Sequence, residues 1–421
     1  MTAPLPEVWR LLGGAPEELV RLTVTRTPNG LNSSFAVTDA GVAAVGASLL
    51  AATDGPVGLD TRGLAVALRS ERYLLRDGRS AGSPFDPLSA FHRTADGWLR
   101  LHANYPWHRA AALRVLGCTQ EQVPAAVAGR GAVELETALH AAGGVAAAVR
   151  TERQWRAEFG AAPPLVEHRV VGAAPPRPSR RPRVLDLTRV IAGPVATRTL
   201  AAHGADVLRL DPPDRPEIPL QALDTLPGKR SALLDLHDAT TREELLAGSD
   251  VLVCGYRPGA LDRFGMSPDA LAQRHPGLVV VTLSAWGEQG PWGRRRGFDS
   301  LVQAACGIAL EEGGPGVLPA QVLDHATGYL AAAATRLALR RQRRDGGTHH
   351  VRLSLVGTAA WLQGLPRATR GDVPDVDPAP YLERVGPLTL ASPPGTVDGR
   401  ALHWPGPPPS FGTATARWLP R

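Results

Sequence analysis

From Arg183 onward, short apolar runs alternate with longer stretches whose apolar positions recur at helical spacing. A parallel sheet interleaved with helices imposes that pattern on a sequence. RVLDL (Arg183–Leu187) predicts a buried strand. Pro194 suits the first turn of a helix running through VATRTLAAHGA, Gly204 suits its end, and DVLRL (206–210) predicts the next strand. The alternation then repeats, with REELLAGSD leading into VLVCG (251–255) and PDALAQRH into GLVVVTLSAWG (277–287). The expected fold is α/β: a doubly wound parallel sheet, Rossmann-like in outline, as a large domain with a second, smaller α/β domain.

Ahead of this region the pattern differs. FHRTADGWLRLHANYPWHRAAALRVLG carries an Asp-Gly turn at Asp96 and Gly97, a strand WLRLHA and a helix from about Trp107, and ELETALHAAGGVAAAVR gives a further helix and strand. Proline and arginine in AAPPRPSRRPR (173–183) favour an extended linker. Two stretches also read alike, one from Val37 and one from Val322. In each, an Asp (Asp39, Asp324) opens an alanine-rich helix, a Gly-containing turn follows, and an alternating strand leads into a second helix. The chain therefore divides into a partial repeat of this Asp-bearing unit (1–84), a small α/β domain with a returning segment (85–172), a linker (173–182), the large domain (183–365) and a C-terminal returning segment (366–421).

Composition narrows the function classes. With 421 residues, 43 % of them hydrophobic, the chain can fill the cores of more than one domain. The formal charge of +6 is spread along it, and Lys229 is the sole lysine, so the cations are arginines. No basic stripe is interleaved with aromatics, which argues against nucleic acid; scattered arginines suit an anionic small molecule equally well. The three cysteines, Cys118, Cys254 and Cys306, are far apart and read as buried thiols in a reducing compartment. The N-terminus lacks a basic start followed by an apolar run, and no apolar stretch approaches a membrane span, so a cytoplasmic location is expected.

Several chemical patterns compete. TRVIAGP (188–194) lacks the paired glycines of a dinucleotide fingerprint, which argues against a nicotinamide enzyme. GRSAG (78–82) matches a hydrolase elbow, but Pro84 and Pro87 stand where its helix must begin. His102 with His108, and His349 with His350, have no further ligand at metal spacing and read as surface or packing features. An Asp just ahead of a helix, as at Asp324, caps it. The free amides and helix dipole there hold a carboxylate ionised, so it can also serve as a nucleophile.

From Arg183 to Leu365 the chain resembles the class III CoA-transferases, the family of formyl-CoA and carnitine CoA-transferases and of α-methylacyl-CoA racemase. The resembling residues are RVLDLTRVIAGPVATRTLAAHGADVLRLDPP, GKRSALLDL, DVLVCGYRPGALDRFGM, SAWGEQGPW, GFDSLVQAACG and VLDHATGYLAAAATRLALRR, in family order. The resemblance implies that Asp324 attacks an acyl-CoA carbonyl to form a mixed anhydride, which CoA converts to an aspartyl thioester before passing to a second carboxylate. It implies adenine stacking by Tyr256, phosphate or ribose contacts from Arg257 and Arg263, and a CoA contact from Arg296. It also implies acyl-CoA and carboxylic acid substrates, no permanently bound cofactor, and a homodimer. Amides of the Gly313, Gly314, Gly316 stretch are a candidate oxyanion site, or a plain loop. Racemase relatives carry a histidine where Phe298 stands. Phenylalanine exchanges no proton, so transfer is favoured, and a racemase would need His325 or another base in its place. Formyl-type members have glutamine at the position of Ile191. The segment resembling the family's small domain precedes the large domain here instead of following it, as in a tandem fusion that has lost parts of both copies; Asp39 would be a relic of a second nucleophile.

Overall fold

The computed structural model describes residues 4–178, 181–371 and 373–420. Seven strands, β1 (Glu167–Gly172), β2 (Arg183–Leu187), β3 (Asp206–Asp211), β4 (Arg230–Leu233), β5 (Val251–Cys254), β6 (Val279–Ser284) and β7 (Thr348–Ser354), make one sheet. Their spatial order is β4-β3-β2-β5-β6-β7-β1. Only β1 runs antiparallel, on β7. The helices that matter most for the site are α1 (Val37–Ala52), α2 (Ala192–Ala202), α3 (Asp299–Ala305), α4 (Val322–Asp345) and α5 (Leu355–Gly364).

The strands are apolar on both faces, and successive residues point to opposite sides. Val184, Val207, Val253 and Val281 pack with Val195 and Leu200 of α2 and Leu330 and Leu337 of α4. Leu185, Leu208, Leu252 and Val280 pack with Leu245, Leu246 and Leu271, from helices Ala239–Ala247 and Pro268–Arg274. Helices on both faces make the sheet doubly wound, as the alternation of runs predicted.

A smaller antiparallel sheet, Phe91–Arg93, Trp98–Leu101 and Ala146–Ala148, buries Leu99 and Leu101 against its own helices and lays its other face on α3. The N-terminal residues place α1 against both α4 and the short parallel pair Leu22–Thr25 and Val57–Asp60. The C-terminal residues return to this unit. Thr396–Val397 pairs with Val57–Asp60, and the hairpin Leu382–Val385/Leu388–Ala391 pairs with Leu75–Arg76. No helix among the described residues is long and apolar enough to cross a membrane.

Asp39 and Asp324 are each the third residue of their helix, and the residues before those helices, Ala36 and Gln321, have nearly the same backbone angles (φ −74°, ψ 54° and φ −76°, ψ 65°). This corrects the capping role expected for Asp324: it is the third helical residue and its side chain accepts none of the first turn's amides. The strand after α4 also departs from the alternation expected. β7 is buried almost throughout because it lies inside the sheet with α4 and α5 packed against it. The start of the proline-rich connection is tied down. Gly347 N–H donates to Ala174 O (2.8 Å), and Gln342 Oε1 accepts from Arg177 N–H (3.0 Å). Residues 179 and 180 of that stretch lie outside the described residues.

Cys254 and Cys306 are buried as expected, whereas Cys118 is only half-buried. The lone lysine lies in the core below β2. Lys229 Nζ donates to Asp186 Oδ2 (3.0 Å), Pro194 O (3.0 Å) and Thr197 Oγ1 (2.6 Å), and burial lowers its pKa to about 8. Despite that lowered pKa, the amine has no path to reagent. Peptide mapping after treatment with an amine-reactive probe is expected to find Lys229 unmodified in the folded protein and modified after unfolding; labelling in the native state would contradict its placement.

Candidate active site

In open α/β sheets ligands bind beyond the carboxyl ends of the strands, at the point where strand order reverses. Here the reversal falls between β2 and β5. A cleft of about 890 Å³ opens there, lined by Thr188–Val190 after β2, Tyr256 and Arg257 after β5, and Leu283–Ala285 at the end of β6. Asp324, Tyr256, Arg257, Arg263 and Arg296, all singled out from the sequence, line this one cleft.

Asp324 is 6 % exposed, so it reaches the cleft without being bathed in solvent. Its carboxylate accepts no hydrogen bond among the described residues; its backbone N–H donates to Asp299 Oδ2 (3.0 Å). Asp299, the first residue of α3, also receives the Leu323 amide and Gln303 Nε2. The start of α4 is therefore capped from outside by Asp299, which leaves the Asp324 side chain unengaged. The expectation that amides and dipole would keep Asp324 readily ionised is overturned. Burial first, then the Asp299 and Glu71 carboxylates, hold its pKa well above the usual carboxylate range. Asp299 is raised in turn, chiefly by its own burial.

The cleft is cationic. Arg257, Arg263 and Arg296 make no ion pair with a carboxylate among the described residues. Burial, then repulsion from Arg257 and Arg215, lowers the Arg296 pKa. Arg257 Nη1 donates to Arg294 O (3.2 Å), and Arg263 lies 4.7 Å over the Phe264 ring. Tyr256 is kept neutral, its pKa raised by burial to about 12. Cations gathered without counter-charges beside a neutral aromatic ring suit a phosphorylated nucleotide.

Tyr105 and Trp107 on the opposite wall are not among the residues singled out from the sequence, and His108, read there as a surface or packing feature, lines the cleft with them. Tyr105, Trp107 and His108 reach in from the helix Pro106–Leu116 and the residue before it. The Tyr105 and Trp107 rings stack (centroids 4.6 Å), with Arg189 4.9 Å over Tyr105 and Arg215 4.9 Å over Trp107. One buried carboxylate joins this wall to the residues after β2 and to β3: Glu217 accepts from Tyr105 Oη (2.6 Å), Val190 N–H (2.9 Å) and Arg209 Nη2 (2.8 Å). The run YPWH, with Pro106 opening a helix, was the available signal, since bulky aromatics at a helix start have little of that helix's own surface to cover.

Other sequence candidates fall elsewhere. Asp39 is half-exposed, bridged to Arg26, and outside the cleft. Gly313, Gly314 and Gly316 do not line the cleft, and Gly314 and Gly316 already donate their amides to Leu310 O and Ala309 O. His325 is fully buried against Glu71, with Nε2 to Oε2 3.7 Å, and does not line the cleft. His102 is buried flat on the Phe298 ring (3.7 Å, 4°), and His349 bonds His168 (2.9 Å). Ser80 of GRSAG sits on an exposed two-residue strand.

Fold and cleft together define a doubly wound α/β protein that gathers arginines and a buried carboxylate in one cleft at the carboxyl ends of its strands. The family model for CoA-transferase family III matches residues 182–370. The probable fatty acyl-CoA transferase Rv3272 of Mycobacterium tuberculosis is 32 % identical over 267 residues, 55 % of this chain and 68 % of that protein. The chain belongs to CoA-transferase family III. The succinyl-CoA–L-malate CoA-transferase beta subunit of Chloroflexus aurantiacus is 33 % identical over 41 % of this chain and 48 % of its own length. The formyl-CoA:oxalate CoA-transferase of Streptomyces coelicolor is 32 % identical over 41 % and 46 %. The chain thus spans about half the length of these last two relatives. A crystal structure of Rv3272 superposes with a TM-score of 0.41 at 33 % identity, covering 45 % of this chain and 58 % of that one.

Proposed function

We propose that this chain transfers coenzyme A between carboxylic acids, with Asp324 as covalent nucleophile. The observation that supports it most directly is an unengaged carboxylate in the same cleft as arginines that lack counter-ions. The Asp324 carboxylate attacks the thioester carbonyl, the C–S bond breaks, and the CoA thiolate leaves an acyl-aspartyl anhydride. The thiolate then attacks the Asp324 carbonyl, releasing the donor acid and leaving an aspartyl thioester. The acceptor carboxylate repeats the sequence in reverse, so CoA departs on the acceptor and Asp324 is restored. Tyr256, Arg257, Arg263 and Arg296 hold the nucleotide. In this reading the enzyme is a cytoplasmic homodimer that needs no permanently bound cofactor. Residues 183–365 are its CoA-binding domain, 85–172 its small domain, and 1–84 a partial repeat, as the matched starts of α1 and α4 suggest.

The test is to incubate the protein with acyl-CoA, trap with hydroxylamine or borohydride, and map the modified residue by mass spectrometry. Modification at Asp324 is expected. CoA binding without any adduct would instead mark a catalytically silent binder. Proton exchange into the acyl α-carbon from deuterated water would mark a racemase, which Phe298 disfavours. Arg257→Ala and Arg263→Ala are each expected to weaken CoA binding by roughly tenfold, the scale of one charge-assisted hydrogen bond. Titration calorimetry reads that loss, and unchanged affinity in both variants would remove the nucleotide from this wall.

A further inference from the structure

The transfer steps leave one residue of the cleft without a task. His108 lies on the helix Pro106–Leu116, outside the stretch matched by the family model, and lines the same cleft as Asp324. It is only 3 % exposed, and neither ring nitrogen has a hydrogen-bond partner among the described residues; Nδ1 is also sealed from solvent. A buried polar atom left unpaired costs about 1–3 kcal/mol, and such atoms in native structures call for a ligand or a reaction to explain them. Which nitrogen carries the proton follows from the partners each can find. Nδ1 has no acceptor and no access to solvent, so the proton belongs on Nε2, the nitrogen left to face the cleft. Burial first, then Arg296, Arg189 and Arg215, lower the pKa of the ring to about 3, so it is neutral at any working pH. A neutral imidazole keeps its N–H as a donor without being an acid.

The orientation of this ring is fixed by its neighbours. Tyr105, Trp107 and Phe298 meet it edge to face, with centroids 5.5, 5.8 and 5.9 Å away. Tyr105 is itself held by Glu217 (2.6 Å), and His102 covers the Phe298 ring (3.7 Å). The residue after Phe298 is Asp299, which accepts the Asp324 N–H (3.0 Å). One dipeptide therefore packs on the imidazole and holds the start of α4, which ties His108 to the end of the cleft where Asp324 sits.

Transfer through Asp324 needs a donor at that place and no proton shuttle. As the carboxylate oxygen bonds to the thioester carbon, the carbonyl π pair moves onto oxygen; as that pair returns, the C–S bond breaks and CoA leaves as the thiolate. No proton is gained or lost, so a base has nothing to remove. The charge on the former carbonyl oxygen does call for a hydrogen-bond donor shielded from water, and the glycines of the loop 313–316 stand outside the cleft. We propose that His108 is a catalytic residue: its Nε2–H donates to the thioester oxygen and stabilises the oxyanion formed when Asp324 attacks. This rests on the reading of Asp324 as the nucleophile, but the hydrogen bond itself can be observed without turnover.

The measurement is the infrared stretch of acetyl-CoA isotope-labelled at its thioester carbonyl and bound to Asp324→Asn, which forms no adduct. The band should lie at lower frequency than in the same variant carrying His108→Phe as well, a change that fills the wall but removes the donor. With Asp324 intact, His108→Phe should slow single-turnover formation of the trapped adduct from acetyl-CoA roughly 100- to 1,000-fold, the scale of one oxyanion donor, while CoA affinity by calorimetry stays unchanged. His108→Gln, whose amide can donate, should recover part of that rate, a rescue that a purely structural role would not give. Equal carbonyl frequencies with and without His108, a wild-type adduct rate in His108→Phe, or a loss that appears as weaker CoA binding instead would each overturn the proposal. Should acetyl-CoA never modify Asp324 while the frequency difference is present, the transferase reading fails and the donor assignment stands. If His108→Phe does not fold, His108→Met, flexible and likewise without a donor, takes its place in both measurements with the same outcomes.

Discussion

Asp324→Asn is expected to eliminate the trapped adduct and to lower CoA transfer by about three orders of magnitude or more, the scale seen when a covalent nucleophile is removed. The asparagine keeps the shape and the cleft, so CoA should still bind with near wild-type affinity. Stability should move the other way. Burial and two neighbouring carboxylates oppose ionisation of Asp324 in the folded state, so its native pKa lies above its unfolded one. Relative to a neutral asparagine, the aspartate grows more costly as pH rises from the unfolded value to the folded one, then the difference levels off. The variant should therefore melt higher than wild type at neutral and alkaline pH, with the advantage fading in acid. An inactive protein that is also less stable at pH 8 would mean that Asp324 holds the fold instead of being strained by it.

That strain was not legible in the sequence. An Asp at the start of a helix looks like a cap until the structure shows Asp299, distant in the chain, doing the capping. GFD marks the segment, yet only the phenylalanine offered a chemical distinction, because a capping role depends on where two helices meet. The strands of the large sheet were readable, since each is a short apolar run and burial on both faces demands that composition; RVLDL matches β2 residue for residue. The motif resemblance from Arg183 to Leu365 and the family match over 182–370 cover nearly the same residues. Hidden instead were contacts that local pattern cannot encode. Tyr105 meets Glu217 across 112 residues of chain, and Glu71 lies beside His325 from a segment far earlier in the chain. Val190, β-branched yet at φ 69°, carries no compositional sign of the left-handed backbone it adopts.

Val190 also shows why Glu217→Ala should be the most destabilising single change near the cleft. A β-branched residue at positive φ costs about 1–3 kcal/mol and persists only where its surroundings fix it; the bond from its amide to Glu217 does so. The same carboxylate holds the Tyr105 hydroxyl and Arg209, whose guanidinium is fully buried. Truncation leaves a buried hydroxyl and amide without an acceptor and shifts Arg209 onto Asp211 alone. Breaking a buried pair in this way costs about 3–5 kcal/mol, expected as a fall in melting temperature of roughly 10 °C. Glu217 is held at a pKa of about 2: burial opposes this, but Arg209 and Arg189 prevail. Its contribution is therefore complete above the ordinary value of 4.5 and lost as pH falls toward 2, and the gap between wild type and variant should close over that acid range. A gap constant down to pH 2 would mean that the cost comes from packing and not from charge. Because Tyr105 belongs to one wall of the cleft and Val190 to its floor, CoA affinity should fall together with stability; a variant that melts early yet binds CoA normally would show that the two walls of the cleft are held together by something other than Glu217.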